Sequence, residues 1–123
     1  MLTVRTQIEA PGYHYWPAVS GESFLGNLHR HMFTFSAELR VDGVDREVEF
    51  FALQDQMRAI LAHPSTPFNG LLLPRVGVAM SCEALAQTMG ELLGQFGYSV
   101  ASCSVSEDGE SEGIWYNDDN GKA

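Results

Sequence analysis

Three histidines stand at spacings that suit a metal site. His29 and His31 are separated by one residue in the stretch NLHRHMF, and His14 lies fifteen positions before His29. Alternate residues of a strand point to the same side of a sheet, so one strand can bring both members of the pair to one ion. Imidazole nitrogens are preferred zinc ligands, and catalytic zinc sites usually have three protein ligands. Spacing alone leaves two interpretations open, a three-histidine metal site or polar residues near a strand end.

A carboxylate and a helix start are the other candidates for chemistry. Glu107 ends an alternating apolar series on one strand face, which predicts a partly buried carboxylate. The alternative is that Glu107 only begins the solvated acidic run EDGESE. Ser81 suits the N-cap of a helix, and Cys82 follows in the first turn, where the helix dipole favours a thiolate. The alternative interpretation, a buried structural thiol, is favoured for Cys82. His63 is interpreted as a partner of a helix C-terminus.

The elements that must position these residues follow from apolar periodicity. Strands are predicted at LTVRTQIE, ended by Pro11-Gly12; at 31–41, with the odd-numbered residues on one face and the even-numbered residues on the other; at YSVASCSVSE; and at GIWY. The stretch VDGVD predicts a hairpin turn into a further strand, REVEFF. Two helices are predicted from their apolar stripes, which are Leu53, Met57, Ile60 and Leu61, then Leu85, Met89, Leu92 and Phe96, with Gly97 at the second C-terminus.

This order of strands, two helices and strands predicts an α+β fold, with a four-stranded antiparallel sheet and two helices on one face. Such a sheet leaves two edges open in a monomer, so association through those edges is expected. We expect a single domain over 1–117 and a polar C-terminal tail over 118–123.

Composition excludes several classes of protein. Sixteen acidic residues against seven Lys and Arg give the 123-residue chain a formal charge of −9, which disfavours binding to nucleic acid. No run approaches the roughly 20 apolar residues that cross a bilayer, and the first residues lack the pattern of a signal peptide. We therefore expect no membrane partner. Two cysteines, too few for a disulfide framework and without CxxC spacing, predict a reduced, cytoplasmic compartment.

His14 and the later LHRH together resemble the 6-pyruvoyl-tetrahydropterin synthase family and its relative, 6-carboxytetrahydropterin synthase of the 7-deazaguanine pathway. In that family an early histidine and an LHGH motif hold zinc. VEFFALQDQMRAIL resembles a strand end and helix of the family, with Glu49 in the place of an Asp. SCEALAQTMGELL is similar to the helix that opens with Pro-Thr-Ser-Glu, and VSEDGESEGIWY is similar to the last hairpin.

The resemblance implies a tunnelling fold, in which sheets from neighbouring subunits join into a barrel that forms trimers or hexamers. It implies a zinc ion held by His14, His29 and His31. It also implies that Glu107 anchors a pterin or purine, in a site that Ser81 and Cys82 line.

The groups that move protons in this family have no evident counterpart. Leu25 stands where the usual cysteine is expected, and Gly26 stands where some relatives have a glutamate. The Asp-His pair expected between the helices is missing from STPFNGLLLP, and Arg30 replaces the Gly of the motif. The catalytic residues are therefore unknown, and whether the chain is an enzyme is uncertain.

Three functions remain open at this point. The first is a lyase acting on a reduced pterin such as dihydroneopterin triphosphate, with relocated catalytic residues. The second is a zinc-containing relative with altered chemistry, or one that only binds a pterin or purine. The third is an acidic protein that uses the fold for oligomerisation alone.

Overall fold

The structure, a computed structural model, describes residues 1–14, 29–68 and 80–118, with side chains for 1–12, 32–68 and 80–118. Four strands form one antiparallel sheet in the order β1-β2-β3-β4. The elements in chain order are β1 Leu2–His14, β2 His29–Val41, α1 Phe50–Ala62, α2 Cys82–Gln95, β3 Val100–Glu107 and β4 Ser111–Tyr116. The α+β prediction is confirmed, and β1 and β4 form the two edges of the sheet.

The alternation predicted for β2 is confirmed from Phe33 onward. Phe33, Phe35, Ala37 and Leu39 are fully buried, whereas the residues between them are more exposed. The inward residues meet Ile8 and Ala10 of β1, Cys103 and Val105 of β3, and the apolar stripes of both helices. Because α1 contacts β1 and α2 contacts β3 and β4, the core lies on the helix side of the sheet.

The stripe predicted for α1 is confirmed, since Leu53, Met57, Ile60 and Leu61 are its buried residues. The stripe of α2 is confirmed only at Leu85 and Met89. Ala86, Gly90 and Leu93 complete its buried side. Leu92 is only partly buried, and Phe96 is 59% exposed. The Phe96 prediction is wrong because this residue is the C-cap, with non-helical ψ. Gly97 follows with a φ of 95°, which confirms it at the helix end.

The strand predicted for REVEFF is wrong. Residues 42–49 form no strand, and α1 begins at Phe50 with Glu49 as its N-cap. The Glu49 carboxylate accepts from the backbone N–H of Phe51 at 3.0 Å and of Ala52 at 2.6 Å. Glu47 likewise accepts from the N–H groups of Asp42 at 2.9 Å and Gly43 at 2.8 Å. Side-chain oxygens of Glu47 and Glu49 thus accept from backbone donors in the turn after β2 and at the start of α1.

The sequence predicted that Pro11-Gly12 ends the first strand. This prediction is wrong, because β1 continues to His14. β1 is an edge strand, where the missing N–H of a proline removes no bond that the sheet needs. Residues 15–28, 69–79 and 119–123, which include Leu25, Gly26 and most of the predicted tail, lie outside the described residues. Among the described residues, no helix has the length and apolar character to cross a membrane.

Candidate functional site

One end of the sheet collects the backbone of the predicted metal ligands. The register pairs His14 of β1 with His29 of β2, and Gly12 with His31. Phe33, two residues beyond His31, is paired with Glu107 of β3. Alternate residues of β2 share one side of the sheet, so positions 29 and 31 lie on the same side as Phe33. Position 14 of β1 lies directly opposite position 29. Residues directly opposite in an antiparallel pair have Cβ atoms about 4.5–5.5 Å apart, so the fold brings these distant positions together.

The side chains of His14, His29 and His31, and that of Arg30 between the pair, lie outside the described residues. Among the side chains that are described, no group of three His, Cys, Asp or Glu residues is arranged to hold a metal ion. The zinc site remains a prediction, for which the backbone register and imidazole chemistry fit the metal.

Glu107 is the last residue of β3 and is partly buried. Its Oε2 atom is shielded from solvent, which agrees with the predicted partly buried carboxylate better than with a wholly solvated acidic run. Glu107 is paired with Phe33 of β2, which follows the histidine pair by two residues. Glu107 therefore brings negative charge to the same end of the sheet.

Cys82 is the first residue of α2 and packs against the core. Burial, with the carboxylates of Glu107 and Glu83 nearby, raises the pKa of the Cys82 thiol to about 11. The thiolate that a helix start would favour is therefore outweighed by desolvation and by like charge. Two conclusions follow: Cys82 is a protonated thiol at neutral pH, and it lies within electrostatic reach of Glu107.

Ser81 is confirmed as the N-cap of α2, and its Oγ accepts from the N–H of Ala84 at 3.2 Å. A hydrogen bond from the Ser81 hydroxyl and one from the backbone hold the pKa of the Glu83 carboxyl below its ordinary value. The hydroxyl is thus engaged in holding the helix start. A role for Ser81 in ligand binding stays a prediction.

Gly113, whose role the sequence did not predict, lets β4 approach the start of α2. A Cβ atom on Gly113 would lie 2.5 Å from the Glu83 nitrogen and 2.9 Å from the Cys82 carbonyl carbon. A glycine inside a strand pattern is a signal of such close approach. Gly113 therefore fixes how near Cys82 lies to the end of the sheet.

Asp108 is the second residue whose role the sequence did not predict. Its N–H donates to the Met32 carbonyl at 2.8 Å, and its Oδ1 accepts from the Met32 N–H at 3.0 Å. Asp108 has a φ of 54°, a left-handed conformation that Asp and Asn adopt more readily than most residues. It extends the contact between β2 and β3 one residue beyond the Phe33–Glu107 pair.

No protein-family model matches the chain, and no curated protein matches it. Its fold is similar to the crystal structure of an uncharacterized protein from Wolinella succinogenes, with a TM-score of 0.67 and 14% sequence identity. The match covers 95% of this chain and 98% of that one. At this identity the likeness establishes a shared fold and nothing about chemistry.

Proposed function

We propose that the chain is a zinc-binding protein of the 6-pyruvoyl/6-carboxytetrahydropterin synthase type that acts on or binds a reduced pterin. The proposal includes the tunnelling fold, with sheets joined across subunits, and a cytoplasmic location. The observation that carries it is the register of the sheet, which pairs His14 with His29 at the end where Glu107 and Cys82 also lie. Three imidazole positions beside a carboxylate suit a metal next to a heterocycle.

The described residues have defined tasks in this proposal. Glu107, whose Oε2 is shielded from solvent, accepts two parallel N–H donors from the amino-pyrimidinone edge of the ligand. Cys82, protonated at neutral pH because of its raised pKa, offers an S–H donor. Gly113, which has no side chain, lets the backbone of Cys82 approach β4. Zinc, when bound, polarises hydroxyl and carbonyl oxygens of a substrate.

The alternative is a catalytically degenerate binder of a pterin or purine, or an oligomeric scaffold of the same fold. The sequence supports the loss of catalysis, since Leu25 and Gly26 have no ionisable side chain at the positions where the family has proton-transferring residues. General acid–base catalysis typically contributes about 10²–10⁴-fold, so slow turnover is expected without it. The edges β1 and β4 support assembly, because open strand edges pair with other chains.

Metal content per subunit tests the proposal. The wild-type protein is expected to hold one zinc, and His29→Ala to lose it. His63→Ala is the matched control, because His63 lies at the far end of α1, where its Nδ1 accepts from the Ser65 N–H. A wild-type protein without stoichiometric zinc, or equal zinc in His29→Ala, would reject the metal site.

Ligand binding and turnover separate the alternatives. Binding of a reduced pterin that is lost in Glu107→Ala supports a binding role, and product formed from dihydroneopterin triphosphate above a zinc-only blank supports a lyase. Binding without product supports the degenerate binder. A protein that assembles but binds neither zinc nor pterin would support the oligomeric scaffold.

A further inference from the structure

The hydrogen bonds that join Asp108 to Met32 lie directly beside the proposed metal ligands. Met32 follows His31 in β2, and both polar groups of its backbone bond to Asp108, at 2.8 and 3.0 Å. The regular pairing of β2 with β3 ends at Phe33 and Glu107. Among the described residues, the bonds between Asp108 and Met32 are therefore the hydrogen bonds between the end of β3 and β2 that lie next to His31.

The left-handed backbone of Asp108 makes this contact specific to a few residue types. At a φ of 54° a residue with a β-carbon is disfavoured, with Asn and Asp among the exceptions. Glycine adopts this conformation freely but carries no side-chain acceptor. The shape of the turn and the acceptor for the Met32 N–H are consequently two separate requirements at position 108.

We propose that Asp108 is a positioning residue for the metal site, an inference that rests on the proposed function. By accepting from the Met32 N–H, it fixes the start of β2 relative to Glu107, so that the histidine positions and the ligand-anchoring carboxylate keep one geometry. Groups outside the ligand sphere that orient metal ligands typically change metal affinity by about 10–100-fold when removed.

Three variants separate the acceptor from the turn. Asp108→Gly keeps the backbone conformation and removes the acceptor, and we expect zinc affinity to fall about tenfold. Asp108→Asn keeps an oxygen acceptor in a residue that tolerates the same φ, so its affinity should return to within about twofold to threefold of wild type. Glu47→Ala is the matched control, because Glu47 bonds two backbone N–H groups in the loop after β2, at the other end of that strand. It should leave zinc affinity unchanged.

The measurements are zinc titration, the visible absorption of the Co²⁺-substituted protein, and amide hydrogen exchange of Met32 without metal. We expect faster exchange, weaker binding and an altered Co²⁺ spectrum in Asp108→Gly, and rescue of all three in Asp108→Asn. Unchanged zinc affinity in Asp108→Gly, or an Asp108→Asn protein as weak as Asp108→Gly, overturns the inference.

Failure of the proposed function has a different signature. A wild-type protein that binds no zinc rejects the metal site itself, whatever the exchange of Met32 shows. A wild-type protein that binds zinc, together with an Asp108→Gly variant that opens at Met32 but binds equally well, rejects only the role of Asp108.

Discussion

Each helix begins at a side-chain N-cap, yet the two starts lie in different surroundings. α1 starts at Glu49, and the next residues, Phe50 and Phe51, remain 46% and 75% exposed. α2 starts at Ser81, and β4 presses against its first turn at Gly113. A cap stabilises either helix, and at the start of α2 a strand also lies in close contact with the backbone of the first turn. At this helix start the contact with β4, together with the cap, places Cys82 close to the sheet.

The largest expected effect comes from breaking that contact. Gly113→Ala would put a Cβ atom 2.5 Å from the Glu83 nitrogen and 2.7 Å from its Cα. Since both neighbours are backbone atoms, no side-chain rotation relieves the clash, and overpacking of this kind typically costs about 1–3 kcal/mol. We expect a loss near the upper end of that range in urea denaturation.

Gly94→Ala is the control for this substitution. Gly94 lies in α2, and a Cβ atom there would meet nothing within 4 Å. The free energy of unfolding of Gly94→Ala should stay the same or rise by up to about 1 kcal/mol, because alanine has a higher helix propensity than glycine. Equal stability of Gly113→Ala and wild type would contradict the close approach of β4.

The caps should have similar energies but different consequences. Replacing an N-cap by alanine typically costs about 1 kcal/mol, and we expect this of both Ser81→Ala and Glu49→Ala in denaturation experiments. Only Ser81→Ala should loosen the turn that buries Cys82, and it should therefore speed alkylation of that thiol by iodoacetamide at pH 8. Faster alkylation in Glu49→Ala as well would mean that the two helix starts are not independent.

Cys82 provides the next test. Because burial and the carboxylates of Glu107 and Glu83 raise its pKa to about 11, its alkylation rate should keep rising with pH until about 11. Glu107→Gln removes a negative charge, stabilises the thiolate and lowers this pKa, so alkylation at pH 9 should become several-fold faster. Cys103, whose pKa burial raises to about 12, is the internal control. An unchanged pH profile of Cys82 alkylation in Glu107→Gln would contradict the electrostatic interaction between Glu107 and Cys82.

The smallest expected effect is the acid response of the α2 start. Hydrogen bonds from the Ser81 hydroxyl and the backbone lower the pKa of the Glu83 carboxyl from 4.5. A carboxyl whose folded pKa is lowered adds stability above its unfolded pKa, and that stability is lost as the pH falls through the folded value. The difference in unfolding free energy between wild type and Glu83→Gln should therefore shrink from pH 6 to pH 3. A difference that stays constant would contradict the hydrogen bonds.

The sequence predicted those elements in which periodicity and burial agree. β2 and α1 each have one clearly apolar side, so Phe33 to Leu39 and Leu53 to Leu61 were found correctly. REVEFF also alternates, but Glu49 caps α1 by accepting from the Phe51 N–H, and the alternation does not become a strand. Local patterns do not show which side-chain oxygens take backbone donors.

The candidate site was only partly predictable for a related reason. The spacing of His29 and His31 is visible in the sequence, and so is the alternation that ends at Glu107. The pairing of His14 with His29 depends on strand register, which is fixed by contacts along the whole of β1 and β2. The approach of Gly113 to α2 and the bonds of Asp108 to Met32 likewise join residues far apart in the chain.

Trp115 supplies the molecule with an optical probe of the contact between α2 and β4. Its ring lies against Gly90 of α2, where a methyl group would overlap it. Indole emission responds to its surroundings, so a shift in the fluorescence of Trp115 should report separation of the helix from the strand without any attached dye. Trp16 is the second indole of the chain, and a Trp16→Phe protein would leave the signal to Trp115 alone.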